Sequence, residues 1–348
     1  MAAVKVLVVD DSITMRALFT NALERSKDIV VIGAAQDAAE AREMIAEMKP
    51  HVVTLDVEMP GMNGIDFLAE IMEERPMPVI MLSTLTHKGG EISLRALEIG
   101  AVDCFPKPAR ATPDEFAKIS GKLCKVVLAA AKSNVHAKRA PARTAAAAAP
   151  VDYQWDGGLV AVAGGMGGTD AAIEFVAGLP ANCPPVILLQ PLEPGMETAF
   201  AARLAEACAA RVSLAADGTA LAPGHVYVAH DPALHVAVDR WPGGTLRLLD
   251  REPVNGARPS ADMLFATLAR TAGTQASVAI LSGAGQDGAA GMGAVAAAGG
   301  RAIVQANGTA LIDEAIAAAQ ARVPGVVALP PLEIAPALLA RASVSAAA

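Results

Sequence analysis

VKVLVVDDS, residues 4–12, gathers apolar and β-branched residues around one lysine and then closes on two adjacent acids and a serine. A run this short and this apolar suits a strand buried on both faces, as in a parallel sheet. Similar runs recur at 52–57 (VVTLDV), 79–83 (VIMLS) and 101–105. Between them MRALFTNALERS, AEAREMIAEM and GIDFLAEIMEE repeat apolar residues at three- and four-residue steps, the period of a helix with one buried face. Strands that alternate with such helices predict an α/β domain, a doubly wound parallel sheet covered on both sides. The strands of that sheet end along one edge, beyond which ligands bind. Asp10 and Asp11 close the first strand, Asp56 the third, Ser83 the fourth and Lys107 the fifth.

Three carboxylates, a hydroxyl and an ammonium thus meet at one edge. Acids packed together repel unless a cation binds among them, and hard oxygen ligands suit Mg²⁺. Asp56 is then placed to accept a phosphoryl group, whose charge the metal and Lys107 neutralise. VLVVDDS, VVTLDVEMPGMNG, PVIMLST and FPKP are similar to the flavodoxin-like receiver domain of two-component response regulators, over residues 4–125. The resemblance implies a histidine kinase as partner and Asp56 as phosphoacceptor. It also implies a Mg²⁺ site made of Asp11, Asp56 and the Glu58 carbonyl with Asp10 behind them, and Ser83 and Lys107 as the groups that sense the phosphoryl. Cys104 departs from the pattern, standing where many receivers carry an aromatic switch residue.

At 348 residues the chain has room for two domains of ordinary size. From Phe116 to Pro150 there are seven lysines or arginines and no acid, and the stretch ends in ARTAAAAAP. A helix running out into a basic, alanine-rich linker accounts for this, with a receiver at 1–125, a linker at 126–154 and a second domain at 155–348. The net charge of −8 and the lack of aromatics in the basic stretch argue against nucleic acid as a partner. Cys104, Cys124, Cys183 and Cys208 are too widely spaced to indicate a disulfide framework or a zinc site. The apolar runs fall short of the roughly 20 residues that span a bilayer. With no secretory pattern in MAAVKVLVVDD, a cytoplasmic protein without membrane insertion is expected.

After the linker the alternation resumes. LVAVAGG, PPVILLQ, HVYVAH, ASVAILSG and RAIVQA read as strands; TDAAIEFVAGL, ETAFAARLAEAC, SADMLFATLART and the alanine-rich segment after Gly291 read as helices. HVAVDR and TLRLLD form a hairpin about PGG, and the whole predicts a second doubly wound, Rossmann-type domain. Its first strand enters Gly164-Gly165-Met166-Gly167-Gly168, the outline of a nucleophile turn without a nucleophile. Asp170 stands where a GxGxxG dinucleotide fingerprint needs its third glycine, which argues against a dinucleotide site; a small-ligand or nucleotide sensor using GGMGG and SGAGQDG as anion cradles is kept as a further reading. His225, His230 and His235 recur at five-residue steps, which alternate the faces of a strand and predict surface or turn histidines rather than a metal site.

VAGGMGGTDA, VILLQPLEPG, APGHVYVAH, EPVNGARPSADMLF, LSGAGQDGAAGM and AAGGRAIVQ are similar, in order, to the methylesterase domain of chemotaxis protein-glutamate methylesterases. The resemblance implies hydrolysis of glutamate γ-methyl esters, or deamidation of glutamines, on chemoreceptors by a Ser-His-Asp triad. At the matching positions this chain carries Gly165 for the serine and Pro191 for the histidine, and keeps Asp287. Ala284 replaces a methionine associated with oxyanion binding, and Ala257 a histidine. Glycine offers no oxygen to acylate and proline no imidazole to take a proton. The expectation is therefore a pseudoenzyme, a response regulator whose output is phosphorylation-dependent binding of a chemoreceptor or other signalling protein. The alternative is an active esterase or deamidase with a relocated nucleophile, for which Thr169 and Ser282 are the candidates. Otherwise Thr169 is expected to cap the helix after the glycine turn, and Asp287 the helix after Gly288. A second copy of the chain is kept as a candidate partner.

Overall fold

The computed structural model describes residues 3–83, 87–108, 110–136 and 153–340, so most of the expected linker lies outside the described residues. The chain divides into two compact units, Met1–Ala140 with Glu193–Ala199, and Pro141–Leu192 with Phe200–Ala348.

The amino-terminal part runs β1 (Val4–Val9), α1 (Ile13–Leu23), β2 (Ile29–Ala35), α2 (Ala38–Met48), β3 (Val52–Asp56), α3 (Gly64–Glu74), β4 (Val79–Ser83), α4 (His87–Ile99), β5 (Asp103–Pro106) and α5 (Pro113–Ala130). The strands pair in parallel in the order β2-β1-β3-β4-β5. Strand order reverses between β1 and β3, so a crevice opens beyond their carboxyl ends. Every residue of β3 and β4 is buried, which is why both read as unbroken apolar runs. Ser12, Asp37, Asn63 and Thr112 each cap a helix by accepting the N–H three residues on. The helix α5 passes the expected limit at residue 125, because Val126, Val127, Ala129 and Ala130 continue its buried face. The strand β2, absent from the runs read above, has a burial pattern that is mixed rather than continuous.

The rest of the chain carries β6 (Leu159–Ala163), α6 (Thr169–Ala177), β7 (Val186–Leu189), α7 (Glu197–Ala207), β8 (Arg211–Leu214), β9 (His225–Ala229), β10 (His235–Val238), β11 (Leu246–Leu249), α8 (Ala261–Thr271), β12 (Ala276–Ile280), α9 (Ala289–Ala297), β13 (Arg301–Gln305), α10 (Glu314–Arg322), β14 (Val327–Leu329) and α11 (Pro331–Leu339). Seven parallel strands follow the order β14-β13-β12-β6-β7-β9-β8, and β10 pairs with β11 as the predicted antiparallel hairpin. The core joins Leu159, Ile187, Val278 and Ile280 of the sheet to Leu264 and Phe265 of α8. The outermost strands, β8 and β14, keep exposed residues and so lack the apolar run of a buried strand. Here the order reverses between β6 and β12, and the crevice falls where β6 meets the glycine turn.

Candidate functional site

In the first unit the strand ends bring Asp10, Asp11 and Asp56 together, with carboxylate oxygens within 4.8 Å of one another. Asp10 and Asp56 are buried and Asp11 is exposed. Lys107, just past β5, donates from Nζ to Asp10 Oδ2 at 2.8 Å and pairs with Asp56 Oδ2 at 2.7 Å. Its backbone N–H is fixed on the Ser83 carbonyl at 2.8 Å, which sets where the side chain starts. The Ser12 N–H donates to Asp10 Oδ1 at 3.0 Å and the Glu58 N–H to Asp56 Oδ1 at 3.2 Å. Burial pushes the Asp56 carboxyl above its ordinary range, with Lys107 drawing it part of the way back. Burial also pulls on the Lys107 ammonium, but its bonds to Asp10 and Asp56 outweigh this and hold it above the usual lysine value. A donor set made only of hard oxygens, one acid of which faces solvent, fits a Mg²⁺ ion.

The site extends through residues that the motifs do not name. Ser93, on α4, donates its hydroxyl to Ser83 Oγ at 3.1 Å, and the buried Cys104 thiol donates to the Ser93 carbonyl at 3.4 Å. Ser83, Ser93 and Cys104 thus form one hydrogen-bonded chain away from the strand edge. No local sequence pattern marks Ser93, whose partner is set by the packing of α4 on β4. Beside the acids lies a cleft of about 710 Å³ lined by Asp11, Glu58, Met59, Asn63 and Arg95.

In the second unit a pocket of about 250 Å³ is lined by Gly165, Pro191, Ala257, Arg258, Ala284 and Asp287, among others. The structure therefore brings the matched positions 165, 191 and 287 to one place. No serine, threonine, cysteine or histidine stands among the described residues that line it. The glycine turn is tied down from both sides. The Gly165 N–H donates to the Ser282 carbonyl at 2.9 Å, and Gln190 Nε2 donates to the carbonyls of Gly165 at 3.0 Å and Pro191 at 3.3 Å. Gln190 is buried and ties the glycine turn to the end of β7, a contact that sequence reasoning passed over in favour of its neighbour.

Three expectations are corrected here. Asp287 serves the start of α8, not of α9: beside that helix's own cap, Ser260, its oxygens accept from Ser260 Oγ at 2.7 Å, from the Ala261 N–H at 2.6 Å and from the Asp262 N–H at 3.1 Å. The cap position of α9 is Gly288 itself, at φ 93°, with no side-chain bond. Thr169 is the first residue of α6 rather than its cap, because Gly168 before it occupies the cap position in a helical conformation. Its side chain is buried. His235 is wholly buried in β10, which packs against α8. Its Nδ1 accepts the Ser260 N–H at 3.2 Å, and its Nε2 faces the Glu252 carbonyl at 3.1 Å. Ser282 is also wholly buried, with Oγ 3.1 Å from the carbonyls of Met166 and Ile312 and accepting the Ile312 N–H at 3.0 Å.

A parallel sheet of order β2-β1-β3-β4-β5, with three acids and a lysine at its carboxyl edge, defines the class: a response-regulator receiver joined to a second parallel α/β domain. The response regulator receiver domain description matches residues 6–118, and the CheB methylesterase description matches residues 160–338. The chain is 47% identical over 294 residues to the protein-glutamate methylesterase/protein-glutamine glutaminase 1 of Caulobacter vibrioides, with 84% of each chain covered. It is 46% identical over 291 residues to the protein-glutamate methylesterase/protein-glutamine glutaminase of Rhizobium etli, covering 84% of this chain and 83% of that one. The crystal structure of the Thermotoga maritima CheB methylesterase catalytic domain is 26% identical, with a TM-score of 0.48, covering 53% of this chain and 98% of that chain. The chain belongs to the CheB methylesterase family.

Proposed function

We propose that Asp56 takes a phosphoryl group from a histidine kinase and that this event controls how the methylesterase-family domain acts on a chemoreceptor-type partner. The clustered carboxylates of Asp10, Asp11 and Asp56, the first and last of them bridged by Lys107, are the observation that supports the first half. Asp11, Asp56 and the Glu58 carbonyl would hold Mg²⁺, with Asp10 behind them; the ion's part is to neutralise charge on the incoming phosphoryl. Lys107 supplies the second positive charge, and Ser83 is the hydroxyl that turns toward the product and carries its presence to Ser93. No helix among the described residues is long and apolar enough to cross a membrane. A cytoplasmic site of action, with the basic stretch after α5 linking the two units, belongs to this proposal.

For the second half, the pocket's geometry favours recognition without hydrolysis. Its described lining offers one carboxylate, Asp287, already engaged by three donors, and no group able to attack an ester. The names of the relatives favour a second reading, an active methylesterase and glutaminase. In this chain that reading requires a nucleophile away from position 165, and both Thr169 and Ser282 are buried.

Methanol release from a methylated chemoreceptor, measured with the chain treated with acetyl phosphate, separates the two. Recognition without hydrolysis predicts no release by the native chain and release by the Gly165→Ser, Pro191→His double variant. Release by the native chain, lost in Thr169→Ala or Ser282→Ala, establishes the second reading instead.

A further inference from the structure

The three acids of the receiver edge are not held alike. The carboxylate of Asp10 is fixed by Lys107 and the Ser12 N–H, and that of Asp56 by Lys107 and the Glu58 N–H. Asp11 is exposed, and none of the hydrogen bonds or ion pairs among the described residues holds its carboxylate. Its aim depends on the main chain, here the short loop between Val9 and Ile13. Arg16, half-buried in the first turn of α1, closes over that loop. A single nitrogen, Nη1, donates to the Asp10 carbonyl at 2.7 Å and to the Asp11 carbonyl at 3.0 Å. The nitrogen carries two hydrogens, so both bonds form at once. The backbone N–H of Arg16 donates in turn to the Ser12 carbonyl at 2.9 Å, which fastens the far end of the loop. Holding the carbonyls of two successive residues fixes both peptide planes, and with them the direction of the Asp11 side chain.

We propose that Arg16 is a positioning residue for the receiver's cation site, clamping the main chain so that Asp11 presents its carboxylate to Mg²⁺. This rests on the reading of the acidic cluster as a Mg²⁺ site. Two effects of Arg16 oppose each other. Its charge repels a dication, whereas its clamp orders a ligand that no side chain orders. The guanidinium is half in solvent, where water screens its charge over distance, while its hydrogen bonds to the two carbonyls act at contact range. The clamp therefore outweighs the charge.

The two effects predict opposite signs, which makes the test sharp. The Mg²⁺ dissociation constant of the full chain is measured by calorimetry for the native protein, Arg16→Met and Arg16→Lys. Methionine keeps the aliphatic stem without donors. Lysine keeps the charge and supplies donors from one nitrogen. Losing a partner that orients a metal ligand weakens binding about tenfold or more, so Arg16→Met is expected to bind Mg²⁺ about that much more weakly and to need correspondingly more Mg²⁺ for half-maximal phosphorylation by acetyl phosphate. Arg16→Lys is expected to recover most of the loss. Tighter binding by Arg16→Met would mean that charge dominates, and unchanged binding with a lowered melting temperature would mean that Arg16 is structural only; either overturns the proposal. Should Arg16→Met fail to fold, Arg16→Leu, shorter and likewise without charge or donors, carries the same comparison. A native chain that binds no Mg²⁺ would instead sink the reading of the site on which the proposal rests.

Discussion

Lys107 decides whether the receiver edge is stable before any ligand arrives. Two buried carboxylates share one ammonium, at 2.8 Å and 2.7 Å. Desolvation raises the Asp56 carboxyl, and the bond to Lys107 works against that shift. Removing one member of a buried ionic group leaves the others uncompensated, at a cost of roughly 3–5 kcal/mol. Lys107→Met is therefore expected to lower the urea midpoint of the first unit's transition strongly in Mg²⁺-free buffer, with part of the loss recovered on adding Mg²⁺. A midpoint that stays put would mean the acids relax into solvent and the pairing contributes little. The roles of single residues were legible in the sequence to different depths. Asp10, Asp56 and Lys107 stand at strand ends, where topology alone brings them together. Ser93, Arg16 and Gln190 act through contacts with partners chosen by packing, and no local pattern marks them. The same holds for His235, whose five-residue spacing from His230 says nothing of the α8 backbone that it meets.

At the scale of elements, glycines set what each turn tolerates. An added Cβ at Gly64 would lie 1.9 Å from the Asp56 carbonyl oxygen, because α3 begins directly against the end of β3. At Gly165 the nearest atom would be the Gly283 Cα at 3.1 Å, a contact that a few tenths of an ångström of movement relieves. Overpacking against fixed backbone typically costs about 1–3 kcal/mol and sometimes more. Gly64→Ala is expected to reach or exceed the top of that range and to weaken phosphorylation by acetyl phosphate, since it displaces Asp56 itself. Gly165→Ser is expected to cost less than Gly64→Ala. Paired melting curves check the order; a reversed order would show that the glycine corner of β6 is the tighter of the two. Elements with one dominant period were readable: α3 was expected over 64–74 and spans Gly64–Glu74. Edge strands β8 and β14 were not read, because half of their surface meets water and the apolar signal thins out. The role of Asp287 was misread for a different reason. The helix α8 has its own cap in Ser260, and Asp287 joins it from more than 20 residues beyond the helix start, whereas capping rules look only at neighbours.

For the whole molecule the question is whether chemistry at one sheet edge alters recognition in another domain. Motif order along the chain was enough to read both α/β domains and the family, because each motif sits at a strand end that the fold must place beside the next. What the second domain does to its partner was not readable in the same way, because fold does not fix function. Coupling between two sites is a free energy, commonly about 1–3 kcal/mol, or roughly 5- to 150-fold in affinity. The proposed phosphorylation would change the charge on Asp56 next to a lysine that pairs with it, giving the receiver two states that would differ at Lys107 and along the chain from Ser83 to Ser93. If those states bias the output domain, the affinity of the full chain for a cytoplasmic chemoreceptor fragment should shift by a factor in that range on treatment with acetyl phosphate and Mg²⁺. Asp56→Asn should bind with one affinity under both conditions. Fluorescence anisotropy with a labelled fragment reads this directly and does not depend on whether the pocket hydrolyses anything. Equal affinities for treated and untreated native chain would mean that the receiver regulates something other than partner binding, and a shift that persists in Asp56→Asn would place the phosphoacceptor elsewhere.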